Sequence, residues 1–265
     1  MIYGILFMFG VLLICLNMMG LFISMRNPEI HEEKTGFEDD INISQGEFYK
    51  ILSDIEYSDE VYVVKVTEAV NQALAHYWDQ QGEVKYNMRI PVQENFLLYF
   101  FSQLLNRRDK RYEFCDYKKA VERGVGLCSQ HAIILDSVLD DNEIESNIIS
   151  FSEHVLVIAK VNQEGWWMLD PDYGVVIPHD IKEISGNPDL ISQYYYEVGY
   201  DLETIQRLKE IFTTAYRSSE SVDEYFRGYR CRAERISYIL IWFFPLLFIF
   251  TGSLPFIRGR RGDRE

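Results

Sequence analysis

The chain has 265 residues, 48% of them hydrophobic, enough for one domain with a real core once the two ends are set aside. Its formal net charge is -15, and residues 258–265 carry Arg258, Arg260, Arg261 and Arg264 against Asp263 and Glu265, a net +2, so the rest holds -17 (-15 minus +2). Such a surface repels polyanions, and no basic patch interleaved with aromatics is present, which argues against nucleic acid as a partner.

Ile2 to Met25 is uncharged and almost wholly apolar. It is long enough to cross a bilayer, which needs roughly 20 such residues. A cleaved signal peptide fits poorly, because no basic residue precedes the run and no small-x-small site follows it. Asn27 to Gly46 is polar, acidic and unpatterned, and reads as a linker. Asp59 to Trp78 places Val63, Val66, Val70, Leu74, Tyr77 and Trp78 at helical spacing, with Asp59 as its cap. A turn at Gly82 follows. Pro91 to Asn106 reads as a second helix and Asp116 to Arg123 as a short third, together a helical lobe. Cys115 and Cys231 are either a disulfide or two unrelated buried thiols, and the second is the expectation. No Cys-x-x-Cys pairing suggests a structural metal.

The stretch from Arg123 to Gly174 carries the chemistry. It opens with Arg-Gly-Val-Gly-Leu-Cys-Ser-Gln-His-Ala, in which Gly124 and Gly126 permit a tight loop. After Cys128 the period turns helical, with Ala132, Leu135 and Leu139 on one face. Cys128 is therefore expected at the first turn of a buried helix, where the dipole and the unpaired N–H groups favour a thiolate. A polar break from Asp140 to Glu145 precedes a strand from Asn147 to Phe151. His154 heads the next strand, Val155 to Val161. A turn from Asn162 to Gly165 and a returning strand, Trp166 to Leu169, bring Asp170 back beside His154. A thiol, a histidine and a carboxylate at three turning points are the parts of a nucleophile, its base and the group that orients the base.

Other residues leave two readings open. Asp172 is an alternative to Asp170 as the functional carboxylate. Asp170, Asp172 and Gly174 mimic the start of a calcium loop, but the later ligands are missing, so no metal is expected. His131 either lines the cleft or packs on its helix, and His31, His76 and His179 have no evident partners. Trp166, Trp167 and Tyr194 to Tyr196 wall a groove or fill the core. Val175 to Pro178 reads as a last strand, and Asn187-Pro188-Asp189 opens a helical segment. Ser221-x-x-Glu224 has the form of a capping box, starting a helix that runs through Arg235 into a second uncharged stretch, Ile236 to Ile257.

The sequence Gly-x-Cys, then a His-Val strand start, then Gly-Trp and Leu-Asp-Pro resembles the core of the transglutaminase-like superfamily, which has a papain-like thiol-enzyme arrangement. The resemblance covers about fifty residues, Arg123 to Gly174. It implies Cys128 as nucleophile, His154 as base and Asp170 as orienting carboxylate. Gly126 matches the glycine two residues before the cysteine, and Trp167 falls near the aromatic before the aspartate. The family contains proteases, transglutaminases, amidases and inactive members.

The expected fold class is α+β, a helical lobe with a small antiparallel sheet flanked by two transmembrane helices. Residues 1–25 form a span, 26–46 a linker, 47–200 the transglutaminase-like domain, 201–235 a helical stalk, 236–257 a second span and 258–265 a basic tail. The stalk implies rigid attachment at the C-terminal side and the linker loose attachment at the N-terminal side. The arginine-rich tail argues for a cytoplasmic end and an extracytoplasmic domain, although Arg26, Arg227, Arg230, Arg232 and Arg235 flank the spans on the other side. The expected activity is acyl transfer on amide bonds of a protein or peptide, with no cofactor, by a protein anchored in the lipid bilayer. The alternative is a catalytically silent interaction module of a cell-envelope or polysaccharide assembly system.

Overall fold

The computed structural model describes residues 1–31, 41–55, 58–76, 85–104, 111–162 and 165–262. In chain order its elements are α1 (Ile2–Phe22), α2 (Gln45–Asp54), α3 (Asp59–Ala73), β1 (Ala75–His76), α4 (Phe96–Leu104), α5 (Tyr117–Arg123), β2 (Val125–Gly126) and α6 (Cys128–Asp141). They continue with β3 (Ser146–Ser150), β4 (Val155–Val161), β5 (Gly165–Asp170), β6 (Val175–Ile177), α7 (Ile181–Gly186), α8 (Ser192–Val198), α9 (Leu202–Phe212), β7 (Arg217–Ser219), α10 (Val222–Tyr225) and α11 (Arg230–Gly262). The chain falls into two units. One gathers Met1–Met25, Glu83–Tyr112 and Arg232–Glu265, and the other Arg26–Gly82 and Glu113–Cys231.

The second unit is built on a sheet of order β6-β5-β4-β3-β7, with every neighbouring pair antiparallel. Alternation along β4 explains why helices cover both faces. Leu156 and Ile158 point with Ile149 and Met168 into a core completed by Ile184, Ile205, Leu208 and Phe212 from the helices after the sheet. Val157, Ala159 and Val161 are buried on the opposite face, where α3 and α6 pack. The fold is thus mixed helix and small sheet, with a further helical layer after it. Residues 201–235 are not a stalk: α9 fills the core and β7 pairs with β3.

Local chemistry explains other departures from the sequence reading. Helix α3 ends at Ala73, because Leu74 to His76 turn extended and β1 pairs in parallel with β2. Its cap is Ser58, whose hydroxyl accepts from the Val61 N–H, one residue before the expected Asp59. Ser221 does accept from the Glu224 N–H. The helix stops after one turn, however, where Arg227 and Gly228 take φ of 59° and 81°, and α11 begins afresh. Cys115 and Cys231 are joined in a disulfide, with Cα atoms 5.4 Å apart, and are not unrelated thiols. The stretch read as a linker contains anchors: Ile30 and Ile41 are buried, and Arg26 donates to the carbonyls of Ala73 and Val121 at 3.0 and 2.8 Å. The helix tail at Tyr77 and Trp78, the turn at Gly82, residues 32–40 and residues 263–265 lie outside the described residues.

In the first unit, α1 and α11 are both long and apolar enough to cross a membrane. Only 17% and 22% of their most apolar windows are buried, so Leu12, Ile239 and Phe250 face outward, unlike the side chains of a core helix. Their contact has a definite chemistry. Pro245 lacks an N–H, which frees the carbonyl of Ile241 one turn earlier. The Asn17 side-chain amide donates to that carbonyl at 2.5 Å. Gly10 lies so near Pro245 that a Cβ there would meet its carbonyl oxygen at 2.7 Å. Helix α4, expected in the lobe beside the cysteine helix, belongs to this unit: Phe96 packs with Leu13 and Ile241.

One buried acid makes a pH-dependent contribution to the stability of the second unit. Burial pushes the Asp136 carboxyl on α6 up to about 6, the Ser146 hydroxyl opposes this, and Asp140 adds to it. The folded state therefore holds this proton more tightly than the unfolded one. Its contribution to stability is fully present below about pH 4 and is lost as pH rises through about 6, by up to roughly 3 kcal/mol. Asp136→Asn should accordingly raise the melting temperature at pH 7.5, with the gain shrinking towards pH 4.5. A gain independent of pH would contradict this account.

Candidate functional site

Cys128 is the first residue of α6, and its position follows from a close approach just upstream. A Cβ on Gly126 would lie 2.6 Å from the Gln130 Cβ. Gln130 has no freedom to yield: its amide accepts from the Phe114 N–H at 2.7 Å and donates to the Phe114 carbonyl at 3.0 Å. Only glycine fits two residues before the cysteine. Gly124 caps α5 in the left-handed region, with φ of 73°. These two turns lead into α6, which packs against β3 and β4 of the sheet. The Cys128 thiol is reduced and half-buried.

His154 and Asp170 come from the adjacent ends of β4 and β5. The pairing Val157↔Leu169 fixes the hairpin, so the residues just outside it meet. The His154 Nε2 lies 2.8 Å from the Asp170 Oδ2. Both side chains are almost wholly buried. With Nε2 engaged, Nδ1 is the nitrogen left to the Cys128 sulfur. Burial pushes the imidazole down, but the charge and hydrogen bond of Asp170, then the hydrogen bond and charge of Cys128, outweigh it and hold it well above the usual histidine range. The ring also sits edge-on to Tyr173, with centroids 5.5 Å apart.

Asp170 has further partners that the sequence did not indicate. The Tyr195 hydroxyl donates to its Oδ2 at 2.5 Å, and the Tyr173 N–H reaches its Oδ1 at 3.4 Å. Burial, then the Asp170 charge and hydrogen bond, push the Tyr195 phenol well above its ordinary value, so it remains a donor. Of the tyrosine run, Tyr195 is fully buried and Tyr196 is exposed. Helical period separates them, and Tyr194 packs partly buried against the same core as Tyr195.

Asp172 is not an idle alternative. Its carboxylate is buried, its Oδ1 contacts the His76 Nδ1, and the His131 Nδ1 lies 3.5 Å away. Burial pushes it up, but the His76 hydrogen bond and the charges of His131, His76 and His154 hold it below the usual carboxylate range. The Asn71 amide donates to the Asp172 carbonyl at 2.8 Å, tying this turn to α3. His76, which lacked an evident partner in the sequence, thus belongs to the site through β1, the strand that pairs beside the glycine loop. His131 packs on its own helix and on this cluster, bonding the Leu127 carbonyl at 2.9 Å. His179 instead makes an exposed pair with Glu183. Trp166 packs on the core, and Trp167 lines a cavity apart from Cys128.

The site therefore holds a reduced thiol at a helix start, an imidazole held by one carboxylate, and a second buried carboxylate. One ligand-type atom from each of Cys128, His154 and Asp172 lies within 4.8 Å of the others.

The His154–Asp170 pair makes its own stability prediction. A histidine raised in the folded state contributes stability that is fully present below about pH 6.5 and lost as pH rises through the folded value. Asp170→Asn should therefore lower the melting temperature most near pH 6 and progressively less towards pH 10. Tyr195→Phe, which removes a hydrogen bond to a buried carboxylate, should destabilise by about 1.5–3 kcal/mol. Equal losses for Asp170→Asn at all pH values would exclude a charged pair.

No family model, curated protein or solved structure matches the chain.

Proposed function

We propose that this chain is a membrane-anchored thiol enzyme of transglutaminase-like type, acting on amide bonds of a protein or peptide by acyl transfer. The observation that carries the reading is the Cys128 sulfur within 4.8 Å of a His154 nitrogen, with Asp170 bonded to the same ring at 2.8 Å and the thiol at the first turn of α6. His154 takes the thiol proton, and the sulfur attacks the amide carbonyl carbon. The C–N bond breaks as the imidazolium returns its proton to the leaving amine, which leaves a thioester on Cys128. Water or a second amine then resolves it, giving hydrolysis or cross-linking. The backbone N–H of Cys128 itself, at the helix start and ahead of the Gln130 and His131 N–H groups that bond the Leu127 carbonyl, suits the developing oxyanion. Asp170, fixed by Tyr195, keeps His154 in the tautomer and orientation this needs.

The anchoring reading is supported by α1 and α11. The Cys115–Cys231 disulfide supports an oxidising compartment for the second unit, hence an extracytoplasmic domain.

The three residues should act as one device. With full-length protein and a thiol-directed electrophile, Cys128→Ala should abolish site-specific labelling. His154→Ala should lose nearly as much, because the base is gone. Asp170→Asn should lose less, and the double variant with His154→Ala should be hardly worse than His154→Ala alone. Full labelling of His154→Ala, or additive losses, would favour a silent interaction module.

A further inference from the structure

Acyl transfer uses Cys128, His154 and Asp170, and leaves one buried ionised group beside them unused. Asp172 projects from the turn after β5 with its side chain 3% exposed, and it shares the 4.8 Å cluster with the Cys128 sulfur and a His154 nitrogen. A carboxylate beside a nucleophilic thiol does nothing for attack on a carbonyl, because two negative charges there oppose each other. It does complete a different constellation. We propose that Cys128, His154 and Asp172 form a binding site for one thiophilic divalent cation of the zinc class, with water in the fourth position.

The donor set and its surroundings both fit such an ion. One sulfur, one imidazole nitrogen and one carboxylate oxygen suit zinc, whereas calcium and magnesium prefer oxygen alone. Tetrahedral zinc bonds of about 2.0–2.3 Å put neighbouring ligand atoms roughly 3.3–3.8 Å apart. The three ligand atoms already lie within 4.8 Å of one another. A thiolate and a carboxylate neutralise the two positive charges in a buried place. The outer contacts are already made. Asp170 holds the His154 Nε2 at 2.8 Å, which turns Nδ1 inward as the ligand. His76 holds one oxygen of Asp172, with His131 3.5 Å from it, which leaves the second oxygen to the ion. Cys128 is half-buried, so the ion has an entry path.

Binding displaces the one proton that thiol and imidazole hold between them: Cys–S⁻ with His–H⁺, or Cys–SH with neutral His, and M²⁺ give an S⁻–M²⁺ bond, an Nδ1–M²⁺ bond and one H⁺, so affinity falls as pH falls. If the thiol-enzyme reading holds, an ion bonded to the Cys128 sulfur and the His154 Nδ1 blocks both nucleophile and base, and its removal releases them.

The test uses full-length, metal-free protein in detergent micelles, titrated with Co²⁺ and then Zn²⁺. Wild type should take one equivalent of Co²⁺ with a thiolate-to-cobalt charge-transfer band and tetrahedral visible bands, both displaced by Zn²⁺. The charge-transfer band should vanish in Cys128→Ser, and affinity should fall at least about 10-fold in Asp172→Asn and in His154→Ala. A band absent from wild type, retained in Cys128→Ser, or bound equally tightly by Asp172→Asn would overturn the proposal. The wild-type spectrum needs no variant, so a poorly folded substitution does not blunt the test. Metal-free protein that alkylates selectively at Cys128 yet takes no Co²⁺ contradicts the metal site alone. Co²⁺ bound through Cys128 without selective alkylation of the metal-free protein contradicts the enzyme reading alone.

Discussion

The register of the β4–β5 hairpin is the constraint on which the site depends. Pairing Ala159 with Trp167 and Val157 with Leu169 puts the start of β4 beside the end of β5. His154 and Asp170 then meet without any long-range adjustment. Side chains alternate across a sheet, so a slip of one residue would exchange the faces of β5 and carry Asp170 away from His154. The hydrophobic alternation that forbids the slip is the same one that builds the cores on both faces. Leu156 and Ile158 need one helical layer, and Val157 and Ala159 need the other. Packing and chemistry are specified by one pattern.

That is why this part of the molecule was legible from sequence. Period 3.6 after Cys128, period 2 from Val155 and turn residues between Asn162 and Gly165 are local signals, and they place Cys128, His154 and Asp170 at element ends. The glycine loop was legible for its flexibility but not for its reason, since the contact between Gly126 and Gln130 is set by a bond to Phe114, sixteen residues earlier. What sequence did not reveal is non-local in the same way. His76 reaches Asp172 across 96 residues, Tyr195 reaches Asp170 across 25, and the Cys115–Cys231 bridge spans 116. No periodicity carries such information. The stalk reading failed for a related reason: the α9 face of Ile205, Leu208 and Phe212 is amphipathic, and amphipathicity alone does not say which surface it meets.

The two units use one physical idea, which is to leave few polar groups unmatched where water is scarce. Between α1 and α11 the carbonyl freed by Pro245 takes Asn17. In the second unit the carbonyls ending α3 and α5 take Arg26, the buried Asp170 carboxylate takes His154 and the Tyr195 hydroxyl, and the buried Asp172 carboxylate takes His76 with His131 beside it. At Asp170 and Asp172 the matched groups are titratable, and there the polar network becomes a site. The same side chains that satisfy each other in the resting fold are those able to exchange a proton or hold a cation.

The central claim is that Cys128 carries an acyl group during turnover. The direct measurement is to offer full-length, metal-free protein peptide amides and activated esters, quench in acid, and sequence the Cys128 peptide by mass spectrometry. The account predicts an acyl mass on Cys128 that hydroxylamine removes, and none on Cys15, the other reduced thiol. Acylation spread over both cysteines, or none at Cys128 with any donor, would contradict it.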